Sequence, residues 1–303
     1  MKIIQTFAEF DQGNPYGISI FKANNYKNFY TFLLSYLTIK KLYGPVTMNC
    51  NQKAYDSFIK YIPYDEIIIK ENTNTFDFWN YYKLDVIKTI NEKFMHIDSD
   101  VFIFEDLLSP FIDSDDYDVI VQDIIPKDIN KKFTVTFVED NKEFCLNNNI
   151  MDVSKYDGRC FSNGVLGMTP DIKDSWIKTS EIIKKGYIDY ILDVDWSFIS
   201  MISEELSLYM YSVNNNLNVY DVIPYDMILE YGQNEAGNIK GYTHLWHGSS
   251  IIGEHIKLVK QKLNELFPEY NNLVQQFDEY LSSYQLKDIN HIKTYPMGIN
   301  NLM

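Results

Sequence analysis

The chain has 303 residues, 46% of them hydrophobic and 16% aromatic, and a formal net charge of −15. That length suits one large α/β domain or two small ones with a substantial core. The acidic balance argues against a bare nucleic-acid backbone as partner, and it makes an anionic nucleotide an awkward ligand unless a cation screens it.

Three cysteines, Cys50, Cys145 and Cys160, fit no zinc spacing and form an odd set, which reads as a reducing compartment. The N-terminus lacks the apolar core of a signal peptide, and no run approaches the ~20 apolar residues of a membrane span. A soluble, cytoplasmic protein without a transmembrane segment is expected.

Residues 1–8 predict a first buried strand, and residues 9–25, with Gly13, Pro15 and Gly17, a loop. Residues 26–42 carry Phe29, Phe32, Leu33, Tyr36 and Leu37 at helical spacing, and Gly44-Pro45 stops that helix. A strand at 46–50, a short helix at 52–60 and a strand at 65–69 follow. A second clear helix, 76–91, holds Trp79, Tyr82, Lys83 and Ile87. In residues 94–105, FMHIDSDVFIFE, apolar runs flank a polar centre, which predicts a strand, a turn with two Asp, and a second extended piece. Residues 118–125 complete a half in which strands and helices alternate, the pattern of a mostly parallel sheet covered on both faces.

The second half is less regular. Residues 126–160 read as polar loop. A strand at 161–168 is entered through Asn163-Gly164, and helices are predicted at 171–185 and 193–206. Asn214 to Asn216 form a turn, residues 218–223 a strand, and 230–241 a glycine-rich mobile loop. A helical tail covers 253–283. One domain, 1–252, with a helical C-terminal extension, 253–303, is expected.

Asp-x-Asp occurs four times, at 98/100, 113/115, 116/118 and 193/195. Only the first lies between two apolar runs, at the end of a central strand, where open α/β sheets collect ligands. Carboxylates two residues apart across a turn converge on one hard cation such as Mg²⁺ or Mn²⁺. The other three triplets read as solvated turns or helix caps, although Asp193 also suits a catalytic or acceptor-binding role. Lys83 and Tyr82 precede the first pair on a helix that can aim a cation and an aromatic face at the same cleft. Asn163-Gly164 would permit close backbone approach to a ligand. His244 and His247 sit beside Trp246 and a glycine, and either could supply a nitrogen ligand.

Taken in order, Lys83, Asp98/Asp100, Asn163-Gly164, Asp193/Asp195 and His244 resemble the motif series of glycosyltransferase family eight, the GT-A enzymes related to glycogenin and the bacterial lipopolysaccharide galactosyltransferases. The start of the chain also resembles a group of uncharacterised bacterial glycosyltransferase-like proteins. The resemblance implies a GT-A fold: a mostly parallel central sheet with helices on both faces. It further implies that Asp98, Asp100 and His244 chelate Mn²⁺ or Mg²⁺ against the phosphates of a nucleotide sugar, UDP-linked. Lys83, Tyr82, Ser99, Asn163 and Gly164 would line the donor site, and Asp193 and Asp195 would face the donor sugar or the acceptor, whose identity is open. Two departures stand out: Val194 where the family has Gln, and His247 where it has Gly, with no Lys until Lys257. Two alternatives follow: a GT-A-like protein that binds nucleotide sugar or glycan without turnover, and a phosphatase of the haloacid-dehalogenase type, which also uses Asp-x-Asp and Mg²⁺.

Overall fold

The computed structural model describes residues 1–9, 28–71, 79–130, 134–148, 150, 152–190, 202–223, 241–245 and 253–288. A seven-stranded sheet runs in the order β3 (Glu66–Ile69), β2 (Val46–Cys50), β1 (Lys2–Phe7), β4 (Phe94–Ile97), β7 (Cys160–Met168), β6 (Val119–Ile125), β8 (Val219–Asp221). Strand β7 runs antiparallel to both of its neighbours, and every other pairing in this sheet is parallel. Two further strands, β5 (Val101–Ile103) and β9 (Tyr242–His244), pair antiparallel beside it, with Val101 opposite His244. The mostly parallel central sheet packed with helices, and the helical C-terminal extension, match the architecture expected from the sequence.

The apolar pattern explains the layers. Strands β4 and β7 are buried along their whole length, as strands covered on both faces must be. The helix Asn28–Tyr43 buries every residue from Asn28 to Ile39, because the sheet, β5 and the helix Gly253–Leu266 surround it. The second C-terminal helix, Asn271–Asp288, shares that core: Phe277 stacks on Phe29 with ring centroids 3.8 Å apart, and Asp278 takes Lys260 at 2.6 Å and the Tyr30 hydroxyl.

Three expectations change. Residues 126–160 are not mainly loop, for they contain helices Lys127–Asn130, Thr136–Asp140 and Lys142–Asn147, which bury Phe137, Val138 and Cys145. Strand β7 starts at Cys160, so Asn163-Gly164 lies within the strand rather than at its entrance. The tail is two helices, broken at Phe267-Pro268. Strand β9 was not anticipated: three residues among glycines and aromatics give no periodicity to read. The segment 230–241, expected as a mobile loop, lies outside the described residues apart from Gly241. Cys50, Cys145 and Cys160 are buried free thiols. Among the described residues no helix is long and apolar enough to cross a membrane.

Candidate metal centre

The site forms where β4 ends. Asp98 follows Ile97 directly, and its backbone N–H donates to the Gly164 carbonyl at 2.8 Å, so β7 fixes the start of the turn. The turn closes when Val101 N–H donates to the Asp98 carbonyl at 3.0 Å. Strand β9 then docks on β5, and Leu245 N–H donates to the Asp100 carbonyl at 3.1 Å. Two sequence-distant strands therefore bring His244 to the two aspartates. One ligand atom from each of Asp98, Asp100 and His244 lies within 4.8 Å of the others, and His244 Nε2 is 3.3 Å from Asp100 Oδ1.

Behind the aspartates sits a buried charge cluster. Lys83, only 1% exposed, sits on the helix Trp79–Lys88 and donates from Nζ to Asp98 Oδ1 at 3.1 Å and to the Asn163 carbonyl at 2.9 Å. It also pairs with Glu204 Oε1 at 2.6 Å. These three acceptors match the three donors of an ammonium. Burial pulls the Lys83 pKa down, but the Asp98 and Glu204 carboxylates outweigh it and the net shift is upward. Burial raises Asp98, opposed by Lys83 and reinforced by Asp100. Burial also raises Glu204, while Lys83 holds it down. His96, fully buried, pairs through Nε2 with the Thr6 hydroxyl at 2.9 Å. Burial and nearby Lys83 keep its pKa well below the imidazole range, so it stays neutral.

The residues singled out in the sequence divide clearly. Asp98, Asp100 and His244 converge. Lys83 and Asn163 adjoin them, with Lys83 reaching the centre through Asp98. Ser99 is buried in the turn between the aspartates. Tyr82, expected to turn an aromatic face to the cleft and line the donor site, is instead 1% exposed, packs in the core and donates its hydroxyl to the Lys70 carbonyl at 3.0 Å. Packing at helical spacing outweighs display there. Asp193, Asp195 and His247 lie outside the described residues. Sequence reasoning missed Glu204, Gln122 and Asp123. The last two had a signal, a polar pair inside the apolar run VIVQDII, which seldom occurs in a buried strand without a partner to satisfy. Glu204 had none.

Gly164 has a definite reason to be glycine. A Cβ there would lie 2.7 Å from His244 Nδ1 and closer still to Gln122 Oε1. The close approach foreseen at this residue is therefore made by side chains of the same chain. Gly164→Ala is expected to push His244 off the aspartates, weakening Mn²⁺ binding at a stability cost of about 1–3 kcal/mol. Titration of Mn²⁺ and a thermal melt check this, and a variant matching the parent in both would show that the neighbours yield freely.

A mostly parallel α/β sheet that brings two carboxylates and an imidazole together at a strand's carboxyl end defines a class: open-sheet proteins with a candidate hard-cation centre at the ligand edge. Within that class, the chain belongs to the family described as "Family of unknown function (DUF6734)", whose profile matches residues 1–277. No curated protein matches it. Among solved structures it is similar to the galactosyltransferase LgtC, crystallised with donor and acceptor sugar analogs, at 12% identity over 90% of this chain and 100% of that one, with a TM-score of 0.45. It is also similar to the glycosyltransferase GlyE of Streptococcus pneumoniae TIGR4 at 10% identity, 93% and 63% coverage and a TM-score of 0.44. The inositol-1-phosphate CTP transferase of T. maritima aligns at 9% identity, 87% and 96% coverage and a TM-score of 0.41. Scores this low give this chain neither a substrate nor a reaction.

Proposed function

We propose that this protein is a divalent-metal-dependent glycosyltransferase that takes its sugar from a nucleotide donor, UDP-linked. The observation that carries the reading is the convergence of Asp98, Asp100 and His244 at the carboxyl end of β4. The donor set fits a cation on its own chemistry. Two carboxylates and an imidazole nitrogen with their ligand atoms within 4.8 Å of one another are the oxygen and nitrogen ligands that a divalent cation takes. Oxygen ligands with one imidazole suit Mn²⁺, or Mg²⁺ with weaker use of the nitrogen.

Bound there, such a cation supplies Lewis-acid neutralisation of charge on a leaving diphosphate. The chain's own residues do the rest. Asp98 and Asp100 bind, Lys83 and the Gly164 carbonyl orient Asp98, and His244 completes the set. Asp193 and Asp195 are assigned to the sugar or the acceptor hydroxyl, where a carboxylate stabilises oxocarbenium character. The acidic surface accords with a cation-screened anionic substrate.

Incubation with UDP-glucose or UDP-galactose and Mn²⁺ is expected to release UDP, and EDTA to stop it. Metal-dependent UDP binding without release or transfer would leave a nucleotide-sugar-binding protein. Phosphate release from simple phosphate esters, with no UDP chemistry, would replace this reading with the phosphatase.

A further inference from the structure

Behind His244, at the ring nitrogen turned from Asp100, lies a buried polar chain. His244 Nδ1 is 2.7 Å from Gln122 Oε1, and the Tyr242 hydroxyl donates to the same oxygen at 2.8 Å. On its other side Gln122 donates from Nε2 to Asp123 Oδ2 at 2.8 Å. Gln122 is 1% exposed, Asp123 0% and Tyr242 6%, so little water competes for these groups. The pairing in the sheet shifts register between Val121 and Asp123, which lets two consecutive residues serve one buried network.

We propose that Gln122 is a positioning residue for the centre: it holds the proton of neutral His244 on Nδ1 and so presents Nε2, with its electron pair, toward Asp100. The inference rests on the metal reading above. The chain of roles runs outward from Asp123. Burial raises the Asp123 carboxyl to about 7, so above that pH its oxygens only accept, and they select the amide orientation that points Nε2 at Asp123 and Oε1 at His244. The reversed amide would set its oxygen against that carboxylate. With Oε1 facing it, the nearer ring nitrogen must be the one that carries hydrogen. Neutral imidazole has one N–H, so Nε2 is left with an electron pair 3.3 Å from an Asp100 oxygen, two acceptors face to face. That electron pair lies on the side of the Asp100 oxygen, where one cation would take both. Gly164 leaves the room in which Gln122 and His244 meet. Partners of this kind behind a ligating histidine change metal affinity by about 10–100-fold.

The test uses the full-length protein and Mn²⁺ alone. Gln122→Leu is expected to bind Mn²⁺ about 10–100-fold more weakly than the parent while remaining folded, with a lower melting temperature because the buried Asp123, Tyr242 and His244 groups lose a partner. The exchange Gln122→Glu with Asp123→Asn keeps an acceptor on His244 and a hydrogen bond between the two positions, and it is expected to restore parental affinity. A purely structural role would not move the second readout, the nitrogen NMR signals of the metal-free parent at about pH 8, above the ordinary imidazole range. His244, identified by its loss in His244→Asn, is expected to carry its proton on Nδ1. A proton on Nε2, or a folded Gln122→Leu that binds Mn²⁺ like the parent, overturns the inference while leaving the metal reading standing. A parent that binds no Mn²⁺ overturns the metal reading and this inference with it.

Discussion

Asp100→Ala is expected to abolish metal-dependent UDP binding while leaving the fold intact. Asp100 sits in the turn between β4 and β5, its side chain 28% exposed, and its backbone carbonyl, which anchors Leu245, survives the substitution. The turn should therefore hold while the cluster loses one of its two carboxylates. His244→Ala is expected to weaken binding less, since a hard cation leans more on the two anionic oxygens than on a neutral nitrogen. Calorimetry with Mn²⁺ and UDP, alongside circular dichroism for the fold, checks both. Unchanged UDP affinity in Asp100→Ala would count decisively against the site, and unchanged metal affinity in His244→Ala would remove the histidine from the ligand set.

The second large effect concerns stability as much as binding. Lys83→Ala deletes the cation that Asp98 and Glu204 share and opens the Asn163 carbonyl. Breaking a buried pair from one side costs about 3–5 kcal/mol, because the partner charge stays buried and uncompensated. Urea unfolding should show a midpoint well below the parent's with a similar slope. Nucleotide affinity should fall as well, through loss of the group that steadies Asp98. The companion substitution Glu204→Leu, added to Lys83→Met, should recover part of the stability, since it removes the stranded carboxylate without restoring a hold on Asp98. A single variant with parental midpoint and parental UDP affinity would contradict the role of Lys83 as the cation that Asp98 and Glu204 share.

Much of this was legible in the sequence, for reasons that differ by residue. The run FMHIDSDVFIFE displays its strand, turn and strand because burial on both sides forces apolar residues up to the aspartates. The parallel half was readable from the alternation of short apolar runs with longer helical spacing, clearest in the helix Asn28–Tyr43. The antiparallel β7 was found as a strand but not for what its Asn163-Gly164 does, because the crowding comes from Gln122 and His244, which are remote in sequence. Lys83 was noticed as a cation in an aromatic stretch, but spacing alone does not reveal that its partners are Asp98 and Glu204. Tyr82 shows the opposite failure: a helix's aromatic residue was read as display when it packs inward. The helices within 126–160 were hidden because each is short, with one to three apolar residues apiece and polar breaks between. The pairing of β5 with β9, which delivers His244, is a contact across some 140 residues that no local pattern carries.

The central claim is a cation-bridged diphosphate site at Asp98 and Asp100, and calorimetric titration of UDP into the protein, once with Mn²⁺ and once with EDTA, tests it most directly. The account predicts binding with Mn²⁺ and none with EDTA. Equal binding in both, or none in either from well-folded protein, would contradict it.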